Sequence, residues 1–262
     1  MKLYRYLSLS GEVAKKRTRN TIVSSLIYFQ SPNNFNDPFD CKTSFHCGRA
    51  TDAMWQRHYA NAISIQYPRK SEQEIRDLVE SAMKLGLHNN PAYRKEEPSR
   101  FQAVLSNAVK KLGMLCMSEV NNDILMWSHY SDGHRGICLQ FDKIQLQKHF
   151  HVEKVQYRSP YPTFKEFLDL VDTNQLHKLL MFKSEHWCYE HEWRTIHNIH
   201  RNKARLLRLP PGILTGVILG CQMSDRNRAL VEGWKKSMGR TLRLYEARRN
   251  LSNYGVRIFR LT

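Results

Sequence analysis

Two acidic residues separated by a single position, Glu190 and Glu192, are the strongest candidates for chemistry in this chain. They lie among three aromatic residues, Trp187, Tyr189 and Trp193. If the segment is extended, residues two apart share a face, so we expect both carboxylates to project together and Arg194 to point away. Such closeness raises the pKa of one acid, while the other stays ionised as a base or as an electrostatic stabiliser. The alternative is a surface strand with solvated acids.

A second group of candidates lies on a predicted short helix at residues 121–134. Trp127 and Tyr130 are three positions apart and therefore share one side of the helix, with His129 and His134 flanking them. Two aromatic rings can sandwich a planar heterocycle. On spacing alone, however, the pair is more typical of a helix face that packs into the core.

Polar candidates also occur near the N-terminus. Arg5 lies between Tyr4 and Tyr6 on a predicted first strand, where it could hold a phosphate or a ribose hydroxyl, or simply face solvent. Asn36 and Asp37 belong to the loop FNDPFD. Asn-Asp-Pro is ordinary turn chemistry, but the flanking phenylalanines could anchor the loop so that it lines a pocket. Both interpretations of this loop stay open.

Histidines and acids cluster around residue 190, yet their spacing argues against a metal site. His186, His191, His197 and His200 match no metal-binding motif, and the six cysteines include no C-x-x-C pair. We therefore expect no metal, and we interpret the cysteines as small buried residues. The sequence also lacks the glycine-rich and nucleophile motifs of P-loop, Rossmann and α/β-hydrolase enzymes.

The charge of the chain predicts a polyanionic partner. Its 41 Lys and Arg against 24 Asp and Glu give a net charge of +17 and a pI near 9.7. Residues 201–262 contain 14 of the basic and 3 of the acidic residues, which makes nucleic acid the first expectation and an anionic membrane surface the second. The residues that we expect to contact nucleic acid are Lys235, Lys236, Arg248 and Arg249.

Hydrophobic periodicity predicts a single α+β domain over residues 1–262. Strands are predicted at 2–7, 26–31, 111–118, 136–141, 154–157, 188–199, 215–220, 241–247 and 255–261. Helices are predicted at 9–25, 121–134, 163–183 and 225–239, with three more, at 52–66, 71–87 and 99–112, forming a helical insertion of about residues 52–112. No segment resembles a signal peptide or a membrane helix, so we expect a cytoplasmic protein without a membrane partner.

Several of these segments together resemble a widespread bacterial family known only as a domain of unknown function. The resemblance covers nearly the whole chain. The matching strings are LYRY (3–6), LIYFQSPNNFNDPFD (26–40), CMS (116–118), MWSHYSDGHRGICLQFD (126–142), KVQYRSPYP (154–162) and KSEHWCYEHEWRTI (183–196).

The order of these motifs is also similar to that of the ADP-ribosyltransferase fold. That resemblance implies a split mixed β-sheet with a helical insertion, in which Glu192 is the catalytic acid and Glu190 supports it. It places Arg5 where the family holds NAD, and Ser118 and Tyr130 in the middle motif, whose tyrosine packs against nicotinamide. The NAD contacts expected from it are Arg5, Tyr6, Asn36, Asp37, Ser118, Trp127 and Tyr130. The chain departs from the family in lacking a clear H-G-T or S-T-S string.

The resemblance implies an NAD-dependent ADP-ribosyltransferase that uses NAD as a substrate and no metal. Family context makes it a bacterial toxin or an anti-phage defence effector, and allows an antitoxin or chaperone partner. The positive charge favours RNA or DNA as the acceptor. The alternatives are a protein-modifying ADP-ribosyltransferase, a nucleic-acid-binding protein without catalysis, and a metal-dependent nuclease that uses the histidines and acids near residue 190.

Overall fold

A computed structural model of the protein describes residues 1–41, 50–160, 177, 179–199, 205–238 and 242–261. Its architecture is mixed α and β, in agreement with the fold class expected from the sequence. Contacts divide the chain into two units. The first unit comprises Met1–Asn34, Lys111–Val155 and His186–Thr262, and the second comprises Phe35–Lys110 and Gln156–Glu185.

The first unit is built on an eight-stranded sheet with the order β12-β11-β10-β4-β1-β3-β8-β5. The strands of the chain are β1 (Lys2–Leu7), β2 (Leu26–Tyr28), β3 (Leu112–Ser118), β4 (Ile137–Asp142), β5 (Glu153–Lys154), β6 (Gln156–Arg158), β7 (Phe182–Ser184), β8 (Glu192–Asn198), β9 (Leu206–Arg208), β10 (Leu214–Leu219), β11 (Arg243–Arg249) and β12 (Val256–Arg260). Strands β10 and β11 run parallel, and the other neighbours in this sheet are antiparallel. Two small sheets pair β2 with β9 and β6 with β7.

Seven α-helices of the described residues complete the two units. They are α1 (Glu12–Ser24), α2 (Asp52–Gln66), α3 (Glu72–Lys84), α4 (Pro91–Lys110), α5 (Ile124–Tyr130), α6 (Lys143–Gln147) and α7 (Asp225–Lys236). The helices α2, α3 and α4 belong to the second unit, in the stretch predicted as a helical insertion. Among the described residues, no helix is long and apolar enough to cross a membrane.

Strand β1 runs near the middle of the large sheet and separates two apolar clusters. Leu3 packs in the cluster that includes helices α1 and α7, whereas Tyr6 packs in the cluster with Trp127 of α5. Because successive side chains of a strand point to opposite faces, Arg5 shares the face of Leu3, and Tyr4 shares the face of Tyr6. We refer to these as the α1 face and the α5 face of the sheet.

The short helix α5 begins as the sequence predicts. The Asp123 side chain accepts a hydrogen bond from the backbone N–H of Met126, which caps the helix. Gly133 follows the helix with a φ of 57°, in the left-handed region that glycine adopts without strain. Asp132 and His134 also have positive φ values, so three consecutive residues of the turn before β4 are in the left-handed region.

Several elements differ from those expected, among them the following three. The stretch predicted as one strand at 154–157 forms the end of β5 and the start of β6, which lie in different sheets. The predicted helix at 99–112 is the last part of α4, which begins at Pro91 because proline is well suited to a first helical turn. The helix predicted at 163–183 lies mostly outside the described residues, and its last two positions belong to β7.

Gly136 is required where the backbone of β4 passes the end of β1. A Cβ atom at this position would lie 2.1 Å from the carbonyl oxygen of Leu7 and 3.0 Å from that of Ser131. Backbone atoms cannot move aside as a flexible side chain does. The sequence at this position therefore tolerates only a residue without a side chain.

We expect Gly136→Ala to lower the free energy of unfolding by about 1–3 kcal/mol, because the added methyl group forces the two backbones apart. Chemical denaturation measures the change. Gly233→Ala is the matched control: this glycine lies inside α7 with no atom within 4 Å of the added Cβ, so alanine should raise stability by up to about 1 kcal/mol. Equal effects of the two substitutions would contradict the argument.

Candidate active site

The backbone changes direction between the two candidate acids. Glu190 is the last residue of a 3-10 turn, Glu185–Glu190, and Glu192 is the first residue of β8. His191 between them has a φ of 44°, and its N–H donates to the Cys188 carbonyl at 3.1 Å. The prediction that Glu190 and Glu192 lie on one extended segment is therefore wrong. The strand begins only after the turn, so the two carboxylates are positioned by different elements.

Glu190 is held by residues from two other elements. Its carboxylate oxygen Oε1 accepts a hydrogen bond of 2.6 Å from the Tyr130 hydroxyl at the end of α5. Its backbone carbonyl accepts a second bond, also 2.6 Å, from the hydroxyl of Ser118 at the end of β3. The Ser118 hydroxyl in turn accepts the N–H of Val120. Glu190 is only 3 % exposed, so this network fixes a buried carboxylate beside a tyrosine.

Glu192 has a different partner. Arg194 donates to both of its carboxylate oxygens, from Nε at 2.8 Å and from a terminal nitrogen at 3.0 Å. Both side chains are almost fully buried. The expectation that Arg194 points away from Glu192 is wrong, because residues two apart on a strand share a face. Glu192 is thus one half of a bidentate, buried ion pair.

The register of the sheet connects these residues to β1. Ser118 lies directly opposite Glu192 on one side and opposite Tyr4 on the other. Residues paired in this way have side chains on the same face. The row Tyr4–Ser118–Glu192 therefore faces α5, which carries Tyr130. Strand pairing therefore brings together three of the predicted motifs, LYRY, CMS and the segment that contains Glu190 and Glu192.

An open cleft of about 290 Å³ lies next to the segment that contains Glu190, but neither Glu190 nor Tyr130 is among its lining residues. The two neighbours of Glu190 in the chain, Tyr189 and His191, line it together with Asp123, Asn122 and residues of the β11–β12 turn. Tyr254, in that turn, is fully exposed at the cleft. Sequence reasoning did not assign Asn122, Tyr189, His191 or Tyr254 to the site. Tyr189 and His191 could have been identified from the sequence because they flank Glu190. Tyr254 could not, because it is more than 60 positions from Glu190 in the chain.

Arg5 does not belong to this cleft. Its guanidinium donates to the Tyr28 carbonyl at 3.1 Å, and it lines a separate cavity on the α1 face. Burial lowers the pKa of Arg5 to about 10, so the side chain is still charged at neutral pH. The expectation that Arg5, Tyr130 and Glu192 surround one ligand differs from the structure, because strand alternation puts Arg5 on the opposite face of the sheet.

Tyr6, Trp127 and Ser118 are structural in this arrangement. Trp127 is completely buried, packs edge-on against the Tyr6 ring at a centroid distance of 5.1 Å, and donates its indole N–H to the Asn121 carbonyl. The Tyr6 hydroxyl donates to the Val120 carbonyl, and burial raises its pKa. The prediction that these two rings and Ser118 contact NAD stays a prediction. The core interpretation of the aromatic spacing is the right one.

Asn36 and Asp37 lie in the second unit. Asn36 is exposed, whereas Asp37 is 4 % exposed and accepts the backbone N–H of Phe39 at 2.8 Å. A side chain that bonds the backbone two residues later is the Asx turn expected of Asn-Asp-Pro. The structure thus shows the turn chemistry of this loop, and the prediction that it also contacts NAD stays a prediction.

The four basic residues assigned to nucleic acid fall into two pairs. Lys235 and Lys236 lie in the last turn of α7, and Arg248 and Arg249 lie at the end of β11. Arg248 donates to Glu246, and this hydrogen bond is the main reason why the pKa of Glu246 lies below its ordinary value. Arg249 is exposed and immediately precedes the turn that lines the cleft.

Comparison with known families supports one part of the sequence prediction. Residues 126–195 match the model of a family described as "Protein of unknown function (DUF2971)". The matched stretch contains Tyr130, Glu190, Glu192 and Arg194, while the strings LYRY and FNDPFD lie outside it. No curated protein and no solved structure matches the chain.

We expect Arg194→Met to lower the free energy of unfolding by about 3–5 kcal/mol, because it leaves the Glu192 carboxylate buried without its cation. Urea denaturation at neutral pH measures this loss. Replacing both residues by methionine should cost less than the single change, since both members of the ion pair are then removed together. Arg257→Met, at an exposed position of β12, is the control and should stay within about 0.5 kcal/mol of wild type. An equally small effect at Arg194 would contradict the proposed pairing.

Proposed function

We propose that the protein is an NAD-dependent ADP-ribosyltransferase whose reactive acid is Glu190. The observation that carries the proposal is the 2.6 Å hydrogen bond from the Tyr130 hydroxyl to the Glu190 carboxylate. These residues lie 60 positions apart. The family resemblance implies that Tyr130 packs against nicotinamide and that Glu190 supports a catalytic Glu192.

A buried carboxylate suits the chemistry of this reaction. When the bond between nicotinamide and ribose breaks, positive charge develops on the sugar, as it does in glycoside hydrolysis. A fixed negative charge in a site that excludes water stabilises that state more strongly than it would in solution. NAD supplies the ADP-ribosyl group and nicotinamide as the leaving group. Tyr130 orients the Glu190 carboxylate by donating a hydrogen bond to it.

Glu190 is better suited to this task than Glu192. The two hydrogen bonds from Arg194 already compensate the charge of Glu192, which reduces the field that it can exert on a developing cation. The Oε1 atom of Glu190 accepts a hydrogen bond from the neutral Tyr130 hydroxyl. The roles proposed for the two acids are therefore exchanged relative to the motif resemblance: Glu190 reacts, and the Glu192–Arg194 pair positions the start of β8.

The cleft beside Glu190 fits one end of a dinucleotide. Ligand pockets commonly measure about 300–1,000 Å³, and a cleft of about 290 Å³ lies at the lower limit of that range. Tyr189 and Tyr254 offer aromatic surfaces to a planar ring, and Asn122 and His191 offer polar groups. We propose that the nicotinamide and its ribose bind in this cleft and that the rest of NAD extends over the surface.

The charge of the surface favours a nucleic-acid acceptor. Arg248 and Arg249 directly precede the β11–β12 turn, so their positive charge lies near the cleft, and the last part of the chain carries most of the excess charge. An acceptor strand held there would reach the ADP-ribosyl group as it is released. A toxin or defence effector that modifies RNA or DNA is the proposed role, and a protein acceptor is the alternative.

We expect Glu190→Gln to lower the release of nicotinamide from NAD by about 10²–10⁴-fold, because the amide keeps the shape and loses the charge. Tyr130→Phe should lower it less, since the carboxylate remains. The assay follows labelled NAD with RNA, DNA or protein as acceptor. Glu185→Gln is the control, because this glutamate belongs to the same 3-10 turn but is exposed. All three variants should unfold at about the wild-type temperature.

Three outcomes would contradict the proposal. Wild-type protein that binds nucleic acid but neither releases nicotinamide nor transfers label would leave nucleic-acid binding as the function. Cleavage of nucleic acid that needs a divalent metal and proceeds without NAD would instead favour the nuclease. Full activity of Glu190→Gln with loss in Glu192→Gln would return the catalytic role to Glu192.

Removing the charges of Arg248 and Arg249 should weaken nucleic-acid binding more than removing two basic residues elsewhere. Each lost phosphate contact should reduce the slope of log affinity against log salt by about one. Lys16 and Arg19, both exposed on α1, provide a control with the same change of net charge. The pair Lys235 and Lys236 tests the second basic site. Identical losses in all three double variants would show that net charge alone determines affinity.

A further inference from the structure

A second cavity, of about 210 Å³, lies on the α1 face of the sheet. Its polar lining comes from β1 and the residue that follows it, from α1 and from the segment around β2. The polar lining residues are Arg5, Ser8, Arg17, Thr18, Thr21, Tyr28 and Gln30. No aspartate or glutamate contributes to this lining. The cavity is therefore cationic, on the face of the sheet opposite Glu190.

Arg5 has far more hydrogen-bond donors than it uses. A guanidinium carries five N–H groups, and within the described part of the chain Arg5 makes one hydrogen bond, to the Tyr28 carbonyl, and no ion pair. Burial withdraws the Arg5 charge from water and lowers its pKa to about 10. Perturbed groups of this kind concentrate at binding sites.

Arg17 adds a second positive charge at the rim of the cavity. Its guanidinium carbon lies 3.7 Å from the centre of the Tyr28 ring, a stacking contact that holds the planar group in place. The two like charges repel each other, and Arg17 contributes to the lowered pKa of Arg5 after burial itself. Neither arginine pairs with an acid among the residues that the structure describes. An anion between them would satisfy both.

Four apolar residues also line the wall. Leu7, Ala14, Ile27 and Leu139 line the cavity, so most of its surface favours a hydrophobic body over water. A dry cavity of about 150 Å³ is large enough to bind benzene, and this one has room for a ring of that size with a charged substituent. The cavity is too small for a dinucleotide.

We propose that this cavity binds a small organic oxyanion, a carboxylate or a phosphate monoester, with its charged group at Arg5 and Arg17. Its apolar body packs against Leu7, Ile27 and Leu139. The planar fork of Arg5 matches the two oxygens of such a group. The site is separate from the proposed catalytic cleft, and the inference does not rest on the proposed function.

Binding of benzoate and of phenyl phosphate to the whole protein tests the proposal, with benzamide as the neutral ligand of similar shape. Titration followed by NMR or calorimetry should show saturable binding of at least one of the two anions and at least tenfold weaker binding of benzamide. The comparison of benzoate with phenyl phosphate decides between the carboxylate and the phosphate. Protein resonances of the cavity residues identify where the probe binds.

Substitutions assign the binding to this cavity. Arg5→Met should weaken anion binding at least tenfold, and Arg17→Met, at an exposed position, should weaken it measurably. Arg19→Met is the matched control, because Arg19 is exposed on α1 and does not line the cavity. The proposal is overturned if neither anion binds wild type, if benzamide binds as tightly, or if Arg17→Met binds as well as Arg19→Met.

Discussion

Strand β1 has an apolar cluster on each of its faces, and the alternation of its side chains decides which chemistry each face of the sheet can use. Leu3 and Tyr6 anchor the strand in the two clusters. That anchoring commits Arg5 to the α1 face and Tyr4 to the row that continues through Ser118 to Glu192. A slip of one residue would bury the guanidinium among the aromatic residues of α5, so the register is strongly determined.

The turn at His191 gives the two neighbouring acids different environments. A residue with positive φ interrupts the extended backbone, so Glu190 closes a 3-10 turn while Glu192 begins a strand. One carboxylate then meets a hydroxyl and the other a guanidinium. Separate environments are how a protein assigns separate roles to two chemically identical groups.

Much of the first unit could be predicted from local patterns, and its tertiary pairings could not. The Asp123 cap and the strand at 137–142 follow from short-range signals that the structure reproduces. The pairing of Arg194 with Glu192 was available from strand alternation but was assigned to the wrong face. The face of the sheet on which Arg5 lies could not be predicted from the local sequence. Apolar clusters pack on both faces of β1, so the alternation of its side chains does not indicate which cluster each residue joins.

The position of β1 in the sheet affects how the chain folds during its synthesis. Its neighbours are β3 and β4, and the Tyr6 hydroxyl binds the Val120 carbonyl 114 positions later. The N-terminal strand is therefore synthesised long before either neighbour exists, whereas helices such as α2 and α3 can form as soon as they emerge. During that interval LYRYL is an unpaired apolar strand. Arg5 lies in the middle of this strand, and its charge opposes aggregation of the unpaired segment.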